Sequence, residues 1–284
     1  MIDPAERQRR FNRMTFDNRD AAAPHRRIVT DLIVEACGDC VSPRVCVLGA
    51  GNLNDVELAP LIARGARVVV TDLDGEGLRA GVARQGYADD PRVEVVPDVD
   101  VAPLLARLGS ATREGRPLPE DEELRALAAD TSAAATLMPA GSEAFDVVVS
   151  TCLLSQLMLG LMDTLTPSHP RFLDCLVAVR NAHIRLMLDL CKTGGRVLLV
   201  TDVVSSDTVP GLGDRPREEL PGLLAVLVAQ RNFFSGMNPL ALIGMLSSEP
   251  TLAPRIGELR VIPPWLWKMG PRDFLVCGFL FRRV

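Results

Sequence analysis

The fold is decided by the stretch Val45-Cys46-Val47-Leu48-Gly49-Ala50-Gly51 of this 284-residue chain. Its apolar run is typical of a strand that is buried on both faces, and the two glycines after it form a tight turn. Residues 54–63 then carry apolar side chains at helical spacing, and Gly65 ends that predicted helix. Strand, glycine turn and helix in this order indicate the first unit of a parallel sheet, with a turn that a ligand can approach closely.

The same alternation of strands and helices continues along the chain. Further apolar runs predict strands at 66–71, 93–96, 145–150 and 194–200, with helices at 76–84 and 171–191 between them. Two last β-rich runs, 258–268 and 273–282, are joined by a linker so short that it permits only antiparallel pairing, although Pro263-Pro264 must interrupt the first run. We therefore predict an α/β fold: a Rossmann-like, seven-stranded, mostly parallel sheet with an antiparallel C-terminal hairpin and helices on both faces.

The domain organisation follows from the segments that break this rhythm. Residues 1–40 predict an N-terminal helical segment, and residues 41–284 form one domain. Residues 101–142 and 205–255 are helical insertions in that domain, the first on the surface and the second able to help cover a site.

Charge and hydropathy disfavour two classes of partner. The formal net charge is −5 and the isoelectric point about 5.4, so no overall positive field attracts nucleic acid or an anionic membrane. The first ten residues, MIDPAERQRR, lack the apolar core of a secretory signal, and no apolar run reaches the roughly 18 residues of a membrane span. We expect a cytoplasmic protein without a membrane or nucleic-acid partner, of unknown oligomeric state.

The cysteines predict no metal site. Seven cysteines are an odd number and lie mostly in apolar segments, which suits reduced thiols. Cys37-Gly38-Asp39-Cys40 has the CxxC spacing, but neither a second CxxC nor paired histidines accompany it.

Two aspartates give the glycine turn a chemical meaning. A glycine turn alone is weak evidence, since many such turns only reverse the chain. Asp72 ends the second strand, about 20 residues beyond the turn, where a carboxylate can accept hydrogen bonds from ribose hydroxyls. Asp98 ends the third strand at the same edge of the sheet, although a turn or cap aspartate is an equal alternative.

With these motifs in order, the chain resembles the class I S-adenosylmethionine-dependent methyltransferases from about Arg44 to Val284. Its Gly-Asn-Leu-Asn-Asp run, residues 51–55, resembles an uncharacterised bacterial subset of that family. The resemblance is carried by residues 45–51, 69–74, 95–98, 145–150 and 190–199. The antiparallel hairpin also fits, because the seventh strand of that family inserts antiparallel. The chain departs from the family at two positions. The family often has an acidic residue where Val47 stands and a third glycine where Leu53 stands.

The resemblance implies S-adenosylmethionine as the cofactor, S-adenosylhomocysteine as the product, and a cofactor site at the carboxyl edge of the sheet. The implied cofactor contacts are Leu48, Gly49, Ala50, Gly51, Asn52, Asn54, Asp72, Leu73, Asp98, Val99, Ser150 and Thr151. The N-terminal segment, with His25, could fold over the cofactor as a lid, as such segments do in several family members.

The acceptor side is less defined by the sequence. Cys152, Ser155, Gln156 and the loop residue His169 are the candidate acceptor contacts, and the acceptor is expected to be an unidentified small molecule. His183 lies on the apolar stripe of its predicted helix, which favours a core histidine over a base. In-line methyl transfer does not strictly require a general base, so no catalytic residue is assigned.

Three other functions share parts of this pattern. A nicotinamide-dependent oxidoreductase also uses a GxG turn and a downstream acid, but the terminal hairpin argues against it. An aminopropyl transferase would use a related fold and cofactor. A non-catalytic module that binds the cofactor is the alternative from a different class, because Val47 and Leu53 depart from the family pattern.

Overall fold

The apolar runs of the sequence form one seven-stranded sheet in a computed structural model of the chain, which describes residues 4–284. The strands are β1 (Arg44–Leu48), β2 (Arg67–Asp72), β3 (Val93–Pro97), β4 (Phe145–Thr151), β5 (Cys191–Ser205), β6 (Ile256–Met269) and β7 (Arg272–Arg283). They lie in the order β3-β2-β1-β4-β5-β7-β6. The first five pair in parallel, and β7 is antiparallel to both of its neighbours. This arrangement confirms the predicted fold class and, at the level of the fold, the resemblance to class I methyltransferases.

Helices cover both faces of this sheet. They are α1 (Pro4–Thr15), α2 (Ala23–Ala36), α3 (Leu58–Ala63), α4 (Gly75–Arg84), α5 (Pro103–Arg113), α6 (Asp121–Ala128), α7 (Ser132–Leu137), α8 (Leu153–Thr164), α9 (Phe172–Leu190), α10 (Leu220–Ala229) and α11 (Pro239–Ser248). One core layer contains residues of α2, α3 and α4, and the other contains residues of α5, α8, α9 and α11. Among residues 4–284, none of these helices combines the length and the apolar character that crossing a membrane requires.

The structure departs from the predicted elements at two places. The helix after the glycine turn begins at Leu58 and not at residue 54, because residues 50–57 form a loop in which Leu53 has φ +55°. The strand predicted to begin at residue 194 begins at Cys191, and its pairing with β4 shifts register near Gly194, which has φ +83°. A glycine that tolerates positive φ allows such a bulge inside a strand.

The segment 101–142 is more than the surface insertion that its Ala, Glu and Arg content suggests. It contributes α5, whose Leu104 and Leu108 are 2% and 0% exposed in the core beside the sheet. The C-terminal hairpin, by contrast, follows the prediction: β6 and β7 pair with a register shift between Ile262 and Trp265, at the two prolines, which have no amide hydrogen to donate.

If α5 is part of the core, Leu108→Ala leaves a cavity and lowers the free energy of unfolding by about 2–5 kcal/mol. Leu240→Ala, at a side chain 64% exposed on α11, is the matched control and changes it by less than about 0.5 kcal/mol. Urea denaturation followed by circular dichroism measures both. Equal effects of the two substitutions would contradict this placement of α5.

Candidate functional site

The turn after β1 has a backbone shape that requires its glycines. Gly49 and Gly51 have φ of +62° and +52°, and a Cβ atom on Gly49 would lie 2.7 Å from the Leu153 side chain. Leu53 also has positive φ, and its side chain is fully buried. Leu53 therefore takes a glycine-like backbone conformation and packs into the core, so the loop turns here without a glycine.

Asp72 joins the end of β2 to this glycine loop. Its Oδ2 accepts a hydrogen bond from the Gly51 amide and its Oδ1 accepts one from the Asp74 amide, both at 2.8 Å. Burial raises the pKa of Asp72 to about 6, against the opposing effect of these backbone donors. Each carboxylate oxygen has two lone pairs, so Asp72 can still accept a hydrogen bond from a bound hydroxyl.

A cavity of about 290 Å³ lies beside Asp72 at the carboxyl edge of the sheet. Four of the predicted cofactor contacts line it: Gly49, Asp72, Leu73 and Val99. Its walls also include residues of α1, of the loop after β3 and of α5 that sequence reasoning missed, among them Arg7, Gln8, Phe11, Asp100, Leu105 and Arg113. These residues come from distant parts of the chain, so only the fold brings them together.

The third-strand aspartate that lines the cavity is Asp100, while the predicted Asp98 lies elsewhere. Asp98 has φ +59°, is exposed, and accepts a hydrogen bond from the Gly75 amide at 3.3 Å. Asp100 is also exposed, but it lines the cavity and accepts from the Ala102 amide at 2.8 Å, and desolvation raises its pKa. The spacing of the third motif identified the right loop, but not which of its two aspartates lines the cavity.

Helix α1 crosses directly over the glycine loop. Asn12 donates to Asp74 at 2.9 Å, and the Asn52 amide group donates to the Asn12 carbonyl at 3.0 Å. The Asn54 amide group donates to the Thr15 carbonyl at 2.7 Å, and Arg7 forms an ion pair with Asp163 on α8. The amide nitrogens of Asn52 and Asn54 are thus directed at the N-terminal segment.

A narrow pocket of about 30 Å³ remains between α1 and the loop. Its lining includes the predicted contacts Gly49, Ala50, Gly51, Asn52 and Asn54, together with Asp55. A pocket of this size holds no more than about two water molecules.

A second cavity of about 420 Å³ adjoins the first. The predicted acceptor contacts Cys152, Ser155 and Gln156 line it, together with aromatic and sulfur-containing side chains from five separate elements. Phe11 and Gln156 belong to the walls of both cavities. The two cavities therefore meet at these side chains, beside the ends of β1 and β4.

One carboxylate, Asp202, lies in the wall of this second cavity and was missed from the sequence. It is 6% exposed, and the Ser155 hydroxyl donates a hydrogen bond to its Oδ1. Burial raises the pKa of Asp202 to about 6. A register shift between Asp202 and Val204 marks a bulge in β5 at this point. The sequence signal was present, because Asp202 follows the predicted fifth strand at its carboxyl end.

A buried polar cluster containing His25, Asp55 and two tryptophans lies next to the narrow pocket. The indole N–H of Trp265 donates to His25 Nδ1 at 3.0 Å, so the hydrogen of the neutral imidazole is on Nε2. This Nε2 is 3.6 Å from Asp55 Oδ1, and the imidazole stacks on Trp267 with ring centroids 4.9 Å apart. Burial lowers the pKa of His25 to about 3 and raises that of Asp55 to about 7.

The remaining predicted contacts lie outside these three cavities. Leu48 is fully buried in β1, and the Ser150 hydroxyl bonds to His183 Nε2 at 2.8 Å within the core. Thr151 is also buried, and its hydroxyl has no hydrogen-bond partner within residues 4–284. His169 accepts from the Arg171 amide at 3.1 Å in the loop after α8.

The remaining histidine and the CxxC cysteines are accounted for by packing. Burial lowers the pKa of His183 to about 4 in the core. Cys37 and Cys40 are free thiols at the end of α2, and the described part of the chain contains no cluster of three or more His, Cys, Asp or Glu side chains suited to a metal ion.

Comparison with known proteins gives likenesses of fold only. No protein-family profile matches the chain, and no curated protein matches its sequence. Among solved structures, the YcgJ protein from Bacillus subtilis is similar at 12% identity over 91% of this chain and 99% of that one, with a TM-score of 0.45. A putative S-adenosylmethionine-dependent methyltransferase from Methanococcus maripaludis is similar at 11% identity over 100% and 95% of the two chains, with a TM-score of 0.45.

A third similar structure is magnesium protoporphyrin IX methyltransferase from Synechocystis PCC 6803, which was solved with bound S-adenosylhomocysteine. It has 11% identity over 92% of this chain and 83% of that one, with a TM-score of 0.44. Because identities and TM-scores are this low, the case for a function rests on the geometry of the site itself.

The raised pKa of Asp55 predicts how this site responds to pH. The pKa of Asp55 is about 7 in the folded protein and 3.8 ordinarily, so the folded state holds the proton more tightly than the unfolded state. The free energy of unfolding therefore falls as pH rises from about 4 to about 7. Asp55→Asn removes this loss of stability, because asparagine does not titrate. The variant should therefore gain stability relative to the wild type across that interval, as measured by urea denaturation at several pH values.

The matched control is Asp89→Asn, at an exposed aspartate before β3. Its stability difference from the wild type should stay constant over the same interval. An Asp55→Asn difference that also stays constant, or that shrinks with rising pH, would show that Asp55 does not titrate as described.

Proposed function

We propose that this protein binds S-adenosylmethionine at the carboxyl edge of the sheet and transfers its methyl group to a small-molecule acceptor. The observation that carries the proposal is the Asp72 carboxylate, which is held by the Gly51 amide and lies in the wall of a cavity that adjoins a second one. Open α/β sheets bind nucleotides at this edge, where an acid after the second strand accepts from ribose hydroxyls.

The first cavity suits the nucleoside end of the cofactor. Asp72 supplies an acceptor for the ribose, while Leu73 and Val99 supply apolar surface for the adenine. Gly49 has no side chain that would keep the ligand from the backbone. These residues fit the cofactor that the resemblance implies.

The amino-acid end of the cofactor requires a movement. The pocket of about 30 Å³ under α1 is too small for an aminocarboxypropyl chain, so α1 must shift away from the glycine loop. Its contacts with the loop are hydrogen bonds at Asn12, Asn52 and Asn54, which can open without exposing a large apolar core. In this proposal the N-terminal segment acts as a lid that opens for exchange and closes over the bound cofactor.

When bound, the cofactor supplies a methyl group already activated by a sulfonium. An electron pair of the acceptor forms the new bond to the methyl carbon, the carbon–sulfur bonding pair stays on sulfur, and the acceptor gives up one proton. The protein holds the two reactants in line and excludes water. Phe11 and Gln156, which line both cavities, stand at the boundary that the methyl group would cross.

Two other functions are alternatives to methyl transfer. The antiparallel β7 counts against a nicotinamide-dependent oxidoreductase, because ordinary dinucleotide-binding sheets are parallel in the order 3-2-1-4-5-6. A non-catalytic cofactor-binding module is the second alternative, because Val47 and Leu53 depart from the family pattern. It would bind S-adenosylmethionine without turning it over with any acceptor.

Asp72→Asn tests the placement of the cofactor. The substitution keeps the shape of the side chain but replaces a charged acceptor by a neutral amide, and hydrogen bonds to charged groups contribute about 1.5–3 kcal/mol. We expect the affinity for S-adenosylhomocysteine, measured by calorimetry, to fall about tenfold or more.

Asp89→Asn serves again as the control and should bind like the wild type. Circular dichroism establishes that both variants are folded. A folded Asp72→Asn protein with wild-type affinity would rule out Asp72 as a cofactor contact.

A further inference from the structure

We propose that the acceptor is an amine on a flat apolar body, and that it binds in the second cavity with its nitrogen against the Asp202 carboxylate. This inference rests on the proposed function, since it names the class of acceptor for that reaction. It depends on three features of the cavity: its aromatic walls, its charge and the position of Asp202.

The walls of the second cavity suit a flat apolar group that carries a positive charge. They contain five aromatic side chains, from α1, from the segment between α10 and α11, and from both strands of the hairpin: Phe11, Phe233, Phe234, Trp267 and Phe274. Three methionines, Met158, Met162 and Met269, complete the apolar lining. Aromatic faces attract ammonium groups, and methionine adapts to the outline of a ring.

The charges in the wall are of both signs, but the positive one, Arg272, already has an acidic partner. Arg272 donates to the Ser205 hydroxyl at 3.0 Å and forms an ion pair with Asp207. Its guanidinium also lies over the Phe274 ring, 4.9 Å from the centroid. Asp202, in contrast, has neutral side-chain hydrogen-bond partners, the Ser155 hydroxyl and the Cys152 thiol, and no ion pair in the described part of the chain.

A second carboxylate strengthens the preference for a cation. Burial raises the pKa of Asp55, and the charge of the nearby Asp202 raises it further. The neighbouring His25 is neutral, because burial lowers its pKa to about 3. A carboxylate acceptor entering this region would be repelled, whereas an ammonium would relieve the repulsion between the two aspartates.

Asp202 is also positioned to handle the proton of an amine. Nitrogen attacks a methyl group only through a free electron pair, so the bound ammonium first passes one proton to the Asp202 carboxylate. The nitrogen–carbon bond then forms as the carbon–sulfur pair remains on sulfur, and the methylated product regains a positive charge. Asp202 returns its proton to water. The Ser155 hydroxyl, which donates to Oδ1, fixes the orientation of the carboxylate.

The test compares three ligands that share one ring and chain length: phenethylamine, phenethyl alcohol and phenylacetate. Each is titrated by calorimetry into the wild-type protein saturated with S-adenosylhomocysteine. We expect the amine to bind most tightly. We expect Asp202→Asn to weaken amine binding about tenfold or more, as loss of a charge-assisted hydrogen bond does, and Asp89→Asn to leave it unchanged.

Saturation with S-adenosylhomocysteine separates the two proposals. If the product nucleoside binds to the wild type but the alcohol or the acid binds at least as tightly as the amine, the inference is wrong and the proposed function stands. The same holds if none of the three ligands binds. If Asp202→Asn keeps wild-type affinity for both the nucleoside and the amine, Asp202 is not the amine's partner. If the nucleoside itself does not bind, the proposed function fails first.

Discussion

The hydrogen bond from the Gly51 amide to the Asp72 carboxylate is the interaction on which the site depends. It joins the loop after β1 to the end of β2 and thereby fixes the edge of the sheet at which the cavity opens. The same carboxylate accepts from Asp74, whose side chain in turn accepts from Asn12 of α1. One buried acid therefore connects the sheet, the glycine loop and the N-terminal helix.

The second cavity follows from the other end of the chain. β7 inserts antiparallel between β5 and β6, which brings Trp267 and Phe274 of the hairpin to the same edge as the glycine loop. The break between α10 and α11 adds Phe233 and Phe234. The N-terminal helix and the C-terminal hairpin thus close a site whose floor is the parallel sheet, and a donor and an acceptor can occupy adjoining cavities.

The sheet could be predicted from the sequence, because its buried strands are continuous apolar runs with turn residues between them. Asp72 could also be predicted, since its place depends on a local spacing from the glycine turn. Asp100 and Asp98 could not be distinguished, because they lie two residues apart in one loop and only the tertiary structure shows which of them lines the cavity. Asp202 could have been found from its place after the predicted fifth strand, but Phe11 required the tertiary structure, since nothing in the sequence shows that α1 reaches this edge of the sheet.

Hydrogen exchange of the wild-type protein, with and without S-adenosylhomocysteine, tests the central claim most directly, because it reports both binding and its location. Binding beneath a closing lid should slow exchange in residues 49–54 and in α1, while NAD should leave both segments unchanged. Protection by NAD, or no protection by the sulfur nucleoside in either segment, would contradict the assignment of this edge of the sheet to S-adenosylmethionine.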